Sequence, residues 1–501
     1  MIKPEANNVS PTEDHKTTLE RSLKGGHWFL LDSLFQKVII LGAFFVTARL
    51  LTPQDFGIIA LAAIYPNLVD SLTAIGFDSA LSQKKLGEEK PFLDAVWTFN
   101  ILRTIIVFII VLFSAPFVVR FFHTPEALLL FQLSAIPLLF QSLSNIGQLY
   151  FFRHLDIKKV FMRDIFNYGT AAVITVSVAW YSHSYWAIFI GNSAGILAAA
   201  LSTYVLSNYR PRFNLYLKRL QPLLSYSEWV FGQGIITRLA QTLEDSLVGH
   251  FTNSISVGLY SKAKSLAYAP LSPVSNIIGK IGFSAIVAVQ DSLAHVREGF
   301  YKSFDVAVAV ALPFNVLIWI AGERIIFIFL GSSWSEITPL LVMLVAVATL
   351  NTTIINLGTM VMNALNKPNY VFYVNALTLF CAVIFLPPLV LLKNIQGAAI
   401  ALLVIAVIVS VYALFLVNKT LRIDWGRLCG SAGITILASF LALILSPYLL
   451  KTSFGESIFG FFSSLILLGI VYSSVIVFFG KTVNKGPYKT LMLVIRSFKK
   501  R

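Results

Sequence analysis

Some fourteen apolar stretches of about twenty or more residues, following one another from Trp28 to Gly480, restrict this chain to folds that a lipid bilayer permits. They lie near 27–50, 57–80, 93–119, 126–152, 162–181, 185–207, 226–251, 257–280, 300–321, 334–362, 370–392, 396–417, 428–450 and 457–480. A helix needs about 20 apolar residues to cross roughly 30 Å of hydrocarbon. Within that layer every backbone N–H and C=O must find its partner inside the protein, so the spans are helices. The expected fold class is an all-α polytopic membrane protein of about 14 transmembrane helices. Composition agrees: 13% of the residues are charged, against about 25% in soluble domains. Pro66, Pro116, Pro137, Pro270, Pro273, Pro313, Pro387 and Pro388 fall inside or at the ends of spans, where kinks are expected.

Charge gives the chain an orientation. The net charge is +15, yet the basic residues come in short clusters between spans, a pattern of membrane topology and not of nucleic-acid binding. Every second connection is basic: Lys84, Lys85 and Lys90; Arg153, Lys158, Lys159 and Arg163; Arg210, Arg212, Lys218 and Arg219; Arg297 and Lys302; Lys367; Lys419, Arg422 and Arg427. The connections between them hold little more than Arg120, Arg324, Lys393 and Lys451. Both termini are therefore expected in the cytoplasm, which requires an even number of spans. The run beginning at His27 is longer than a signal-peptide core and lacks a small-residue cleavage site, so it reads as an uncleaved first span. The basic tail after Gly480 is suited to anionic headgroups.

An internal repeat divides the spans. At a constant offset of 201 residues, Trp28 matches Trp229, Lys37 matches Arg238, Gly57 matches Gly258 and Ala62 matches Ala263. Both copies then reach an Ile-Gly-Phe step, Ile75-Gly76-Phe77 and Ile281-Gly282-Phe283. An offset spanning six helices preserves orientation, so the repeats are parallel, and two six-helix lobes about a central cavity follow. The expected division is a cytoplasmic tail at 1–26, a first lobe at 27–207, a basic cytoplasmic linker at 208–225, a second lobe at 226–418, two added C-terminal spans within 419–480 and a basic cytoplasmic tail at 481–501. Two similar lobes around one site suit alternating access.

Ionisable residues inside spans cost about 2.5–3.5 kcal/mol on insertion scales, so each is a functional candidate. Lys37, Arg103, Arg238, Lys262 and Lys264 are the candidate substrate-binding cations. Asp70, Glu244 and Asp245 would balance them or bind a coupling proton or sodium ion. Arg238, Gln241 and Asp245 share one helix face by their i, i+3, i+7 spacing. Lys37 and Arg238 hold equivalent repeat positions, where two lobes would offer paired cations to an anion such as phosphate. The residues leave a plainer reading open, in which Arg238 and Lys264 pair with Asp245 and Glu244 to join two helices, and Lys37 snorkels to the interface.

Chemical motifs are otherwise missing. The sequence contains no Walker phosphate loop, no HExxH metal pair and no GxSxG nucleophile turn. Asp55-Phe56-Gly57 spells the kinase magnesium tripeptide without a glycine-rich or catalytic loop to accompany it. Cys381 and Cys429 lie in separate spans with neither disulfide nor metal spacing. The chain is thus expected not to be an enzyme, to use no cofactor or metal, and to draw its energy from an ion gradient, the membrane potential or the substrate gradient.

The stretch Ala48-Arg49-Leu50-Leu51-Thr52-Pro53-Gln54-Asp55-Phe56-Gly57-Ile58-Ile59-Ala60-Leu61 resembles the first-turn signature of bacterial polysaccharide biosynthesis flippases. Val257-Gly258-Leu259-Tyr260-Ser261-Lys262-Ala263-Lys264-Ser265-Leu266-Ala267, followed by Pro270-Leu271, is similar to that family's span-8 signature. The resemblance implies a lipid-linked oligosaccharide exporter of the superfamily that also holds multidrug extrusion transporters. It implies a V-shaped, two-lobed transporter that carries an undecaprenyl-pyrophosphate-linked oligosaccharide (O-antigen, capsule or exopolysaccharide repeat unit) across the bacterial inner membrane through a cationic cavity. Within the signature it gives Lys262 and Lys264 a general cavity-facing role. A polysaccharide polymerase and export machinery are the candidate protein partners. A multidrug or cation antiporter of the same fold is the alternative, and an acidic cavity would favour it.

Overall fold

A computed structural model of the chain describes residues 11–73, 90–153, 156–215, 228–450 and 458–483. Among these residues the structure is helical almost throughout and contains no strand. Its longer helices are α1 (Pro11–Leu50), α2 (Pro53–Thr73), α3 (Lys90–Phe121), α4 (Thr170–Ser182), α5 (Trp186–Leu206), α6 (Glu228–Phe251), α7 (Ser254–Tyr268), α8 (Leu293–Leu330), α9 (Ile337–Leu350), α10 (Pro368–Leu421), α11 (Trp425–Leu450) and α12 (Ile458–Val483). By length and composition, eight helices among the described residues are able to cross a membrane. Residues 1–10, Ile75-Gly76-Phe77, residues 216–225 of the expected linker and the tail from 484 lie outside the described residues.

Two expected spans differ in form. The stretch 126–152 is not one helix but the short helices Leu128–Leu133, Ile136–Ser142 and Leu149–Arg153, the first two joined by a turn and the last preceded by a 3-10 segment, Ile146–Gln148. Pro137 cannot donate into a helix arriving from Leu133, and the Oγ of Ser134 donates back to the carbonyl of Phe131 at 2.7 Å. Asn145, in extended backbone, starts the next turn by accepting from the N–H of Gly147 at 2.9 Å. The stretch 257–280 likewise breaks after Tyr268 and resumes at Ser272, with Pro273 in the first turn of the new segment. The expected spans 370–392 and 396–417 are both present, run together as α10 and parted where Lys393 and Asn394 leave helical geometry. The chain folds back there so tightly that a Cβ on Gly397 would meet the carbonyl oxygen of Leu389 at 1.8 Å.

The described residues cluster into two units, Met1–Leu51 with Tyr65–Glu228, and Thr52–Ile64 with Trp229–Arg501. In the first unit, α5 packs on α4 with Gly191 against Thr175 and Gly195 against Ala171, in a buried row of small residues, Ala187, Gly191, Gly195 and Ala199, spaced every fourth residue. Small residues at that spacing let helix backbones approach where lipid supplies no hydrophobic drive. The segment after α5 is tied to the start of α3: Asp94 Oδ1 accepts from the Tyr209 hydroxyl at 2.5 Å and from the N–H of Arg212 at 2.9 Å. The rings of Trp97 and Phe213 lie 5.0 Å apart beside it. Burial, and then the bond to Asp94, raise the Tyr209 phenol well above its ordinary range.

The second unit holds a contact that the repeat anticipates in an unexpected way. Gly57 and Gly258, matched at the 201-residue offset, pack directly on each other: a Cβ on Gly57 would fall 1.7 Å from the carbonyl oxygen of Ser254, and one on Gly258 would fall 1.8 Å from that of Pro53. Pro53 and Ser254 are separated by the same offset, so the contact is reciprocal, as at a two-fold interface. Both helices start the same way. Asn253 Oδ1 accepts from the N–H of Ser256 at 2.8 Å to cap α7, and Asp55 accepts from the N–H and Oγ1 of Thr52 at 2.9 and 2.6 Å in a capping box on α2. Phe56 meets the buried Trp334 edge-on, with ring centroids 5.3 Å apart. The tripeptide Asp55-Phe56-Gly57 is accounted for by capping and packing.

The last two helices lie along α8. Arg427 grips Glu298 with two hydrogen bonds of 2.6 and 2.9 Å, and its guanidinium lies 4.3 Å from the ring centre of Tyr301. Tyr472 on α12 donates to the carbonyl of Ala309 at 2.9 Å. Replacing Gly258 with Ala should cost about 1–3 kcal/mol by overpacking the α2–α7 contact, read as a lower thermal midpoint in detergent. Gly42→Ala, with nothing within 4 Å of the new Cβ, should not lower that midpoint, since Ala favours the helix over Gly.

Candidate functional site

A cavity of about 700 Å³ opens within the second unit among α6, α7, the bulged segment after α9, and α10. Among the described wall residues, the one cation and the two acids are paired with each other. Lys264 bridges two neighbouring acids on α6, donating to Glu244 Oε1 at 2.6 Å and Asp245 Oδ1 at 3.0 Å. The buried Tyr260, one helical turn before Lys264, donates its hydroxyl to the same oxygen of Glu244 at 2.6 Å. Residues 260, 264 and 268 follow i, i+4, i+8 spacing, so α7 turns one polar stripe toward the acids.

Neutral groups complete the wall. Asn351 begins a five-residue π-helical segment, Asn351–Ile355, that follows α9, and its amide donates to the Tyr268 hydroxyl at 2.5 Å. A π-bulge shifts the side chains beyond it around the helix and is common at functional sites. Asn375 on α10 donates to Thr237 Oγ1 on α6 at 2.7 Å, and Gln241, Asn356 and Ser265 also face the cavity. The described wall residues offer hydroxyl and amide partners in quantity, one ammonium, and two carboxylates. They suit a polar ligand with many hydroxyls and at least one charge.

The other expected site residues are placed elsewhere. Lys262 turns its ammonium over the ring of Phe56, 4.6 Å from the centroid, and is not in the cavity wall. Arg103 in the first unit donates to Asp70 Oδ1 at 2.7 Å, to the Asp70 carbonyl at 3.2 Å and to Thr73 Oγ1 at 2.9 Å, which joins α3 to α2. Lys37 is half buried on α1 and forms no hydrogen bond or ion pair with another described residue. Arg238 belongs to α6, but its side chain lies outside the described residues. Of the plainer readings, the pairing of Lys264 with Glu244 and Asp245 is present in the structure.

Sequence reasoning missed Tyr260, Asn351 and Asn375 because neutral polar residues in apolar spans raise no charge signal. It also missed a polar cluster in the first unit, where the Gln36 amide donates to Asp32 at 2.9 Å and to Asp164 at 3.0 Å, and Arg163 pairs with Asp164 at 2.7 Å. The i, i+4 spacing of Asp32 and Gln36 within an apolar run was the available signal.

The model of the polysaccharide biosynthesis protein family matches residues 46–339, well over half of the chain. The chain belongs to that family. The match takes in both segments on which the resemblance rested, and these are the segments that pack on each other at Gly57 and Gly258. It also covers Arg103, Glu244, Asp245, Lys262 and Lys264, and leaves out Lys37, Asn351 and Asn375. Among family relatives, the lipopolysaccharide biosynthesis protein WzxC of Escherichia coli K12 is 23% identical over 414 residues, 80% of this chain and 81% of that protein. The teichuronic acid biosynthesis protein TuaB of Bacillus subtilis 168 is 21% identical over 87% of this chain and 88% of its own length. The fold is that of the lipid II flippase MurJ in an inward closed conformation: TM-score 0.69 at 16% identity, covering 91% of this chain and 99% of that structure. This member of the family is a multi-pass, all-α membrane protein.

Removing Lys264 alone, by Lys264→Met, strands Glu244 and should destabilise the protein on the order of 3 kcal/mol. Asp245, whose side chain is 42% exposed, adds little to that figure. Adding Glu244→Gln should restore most of the loss, measured as the thermal midpoint of the double variant against the single one.

Proposed function

We propose that this chain is a flippase that carries an undecaprenyl-pyrophosphate-linked oligosaccharide from the inner to the outer leaflet of the bacterial cytoplasmic membrane by alternating access. The observation that supports this most directly is the wall of the second-unit cavity, where Gln241, Asn351, Asn356 and Asn375 face one space with Tyr268 and Lys264. Saccharides are bound through hydroxyls, and side-chain amides can both donate to and accept from them. A cavity of some 700 Å³ holds a headgroup of a few sugars, while the prenyl chain remains in lipid. Lys264 is the group that would meet the pyrophosphate or an acidic sugar. Membership of a polysaccharide biosynthesis family and a fold shared with a lipid II flippase support the same reading.

The second reading, a drug or cation antiporter, draws on the charge count among the described wall residues: Glu244 and Asp245 against Lys264. One excess carboxylate would attract a cationic ligand. Leaflet-specific labelling of lipid-linked oligosaccharide separates the two. Cells lacking the protein should hold the oligosaccharide on the cytoplasmic leaflet, and Asn351→Leu with Asn375→Leu should slow its delivery by tenfold or more at normal protein abundance. Unchanged delivery together with altered sensitivity to cationic drugs would establish the antiporter instead.

A further inference from the structure

Lys264 already serves two acids, so an anionic ligand must compete with them for its ammonium. It has three N–H donors, two of them committed to Glu244 and Asp245 at 2.6 and 3.0 Å. Both acceptor oxygens are bonded to the same nitrogen, so they lie within a few ångströms of each other and of any phosphate that approaches it. An anion that takes the ammonium must therefore either be repelled by two uncovered carboxylates or meet them in another protonation state. Two carboxylates that share one site without a cation favour holding a proton between them.

We infer that binding of an anionic ligand at Lys264 draws one proton from solution onto the Glu244–Asp245 pair, so that the lysine acts as the switch linking the substrate to a proton. This rests on the flippase reading above and adds to it which residues sense the ligand and with what sign. With no ligand the pair is balanced by Lys264. With ligand bound, the phosphate holds Lys264 and the proton replaces the ammonium between the acids.

The structure supports this through the surroundings of the pair. Among the described residues, the charged and titratable groups that face it come from two helices: Tyr260, Lys264 and Tyr268 on α7, and the acids themselves on α6, where the side chain of Arg238, on the Asp245 face, lies outside the described residues. The other described walls contribute neutral groups, Asn351 from the π segment, Asn375 and Thr378 from α10, and the apolar Ala60 and Ile64 from α2. No second described cation in the cavity wall stands ready to cover the acids when Lys264 turns away. Arg103 is engaged with Asp70 in the first unit, and Lys262 faces Phe56. The Tyr260 hydroxyl already donates to Glu244 Oε1, so a proton between Glu244 and Asp245 would extend an existing chain of donors. Asp245 is the entry for that proton, its side chain 42% exposed against 16% for Glu244.

The sign is fixed by linkage. The complex holds one more proton than the free protein, so affinity for the anion rises as pH falls, by up to tenfold per unit while the free pair is ionised. The test uses the full chain in lipid nanodiscs with farnesyl pyrophosphate as probe, titrated calorimetrically from pH 6 to 8.5 in two buffers of different ionisation enthalpy. Glu244→Gln with Asp245→Asn is the reference, because it retains the probe's own titration and removes that of the pair.

The intact protein should take up about one proton more per probe bound than the reference, and the reference should bind at least tenfold more tightly at pH 8. Asp245→Asn alone, with the more exposed acid removed, gives the same comparison if the double variant does not fold. Equal proton uptake in intact and variant proteins overturns the inference and leaves the flippase reading standing. A dependence on sodium that replaces the dependence on pH also overturns it, in favour of a metal cation. Absence of binding, or binding that Lys264→Met does not weaken, overturns the assignment of Lys264 to phosphate, and with it both readings.

Discussion

Hydrocarbon satisfies no hydrogen bond and solvates no charge, and several departures from regular helix among the described residues are arranged around that constraint. Where the stretch 126–152 breaks, Ser134 and Asn145 supply side-chain partners to the backbone that the break exposes. The turns at Thr52 and Asn253 are capped by side chains in the same way. The π segment at Asn351–Ile355 changes its ring size without leaving the helix. Two intramembrane cations follow the same rule, Arg103 beside Asp70 and Lys264 beside Glu244 and Asp245.

With electrostatic partners so scarce, pairing does two things at once. A buried pair fastens helices, because removing one partner leaves a charge that nothing else covers. It also creates a site, because a ligand with a stronger claim on one partner changes the state of the other. The Arg103–Asp70 pair, with three donor contacts between α3 and the end of α2, has the character of the first. Lys264, shared between two acids at the edge of a large cavity, has the character of the second. In neither case does net charge along the sequence separate the two roles; the presence of open space beside the pair does.

The two segments that mark the family owe their composition to packing as much as to transport. Gly57 and Gly258 allow α2 and α7 to cross at backbone distance, and Phe56 fills the space against Trp334. Tyr260 and Lys264, on the same signature, face the cavity from the helix that this crossing positions. A single stretch thereby sets both the helix contact and one wall of the site. The reciprocal packing of Pro53, Gly57, Ser254 and Gly258 gives the 201-residue repeat a physical meaning, since two copies of one surface meet each other.

Much of this was legible in the sequence. Apolar length fixed the helical class and its passage through the membrane, because the width of the bilayer and the backbone's need for internal partners leave few alternatives. The rarity of charge in spans singled out Glu244, Asp245 and Lys264, and the offset of the repeat paired the two glycines. Tertiary structure decided the rest. That Lys264 bridges both acids while Lys262, two residues away, turns to Phe56 depends on helix rotation, which a run of apolar residues on all sides does not encode. That Asn351 and Asn375 share a wall with them depends on a π-bulge and on the break in α10 at Lys393 and Asn394. Hydrophobicity sets how deep a residue lies in the bilayer, and only packing against neighbouring helices sets which way it faces.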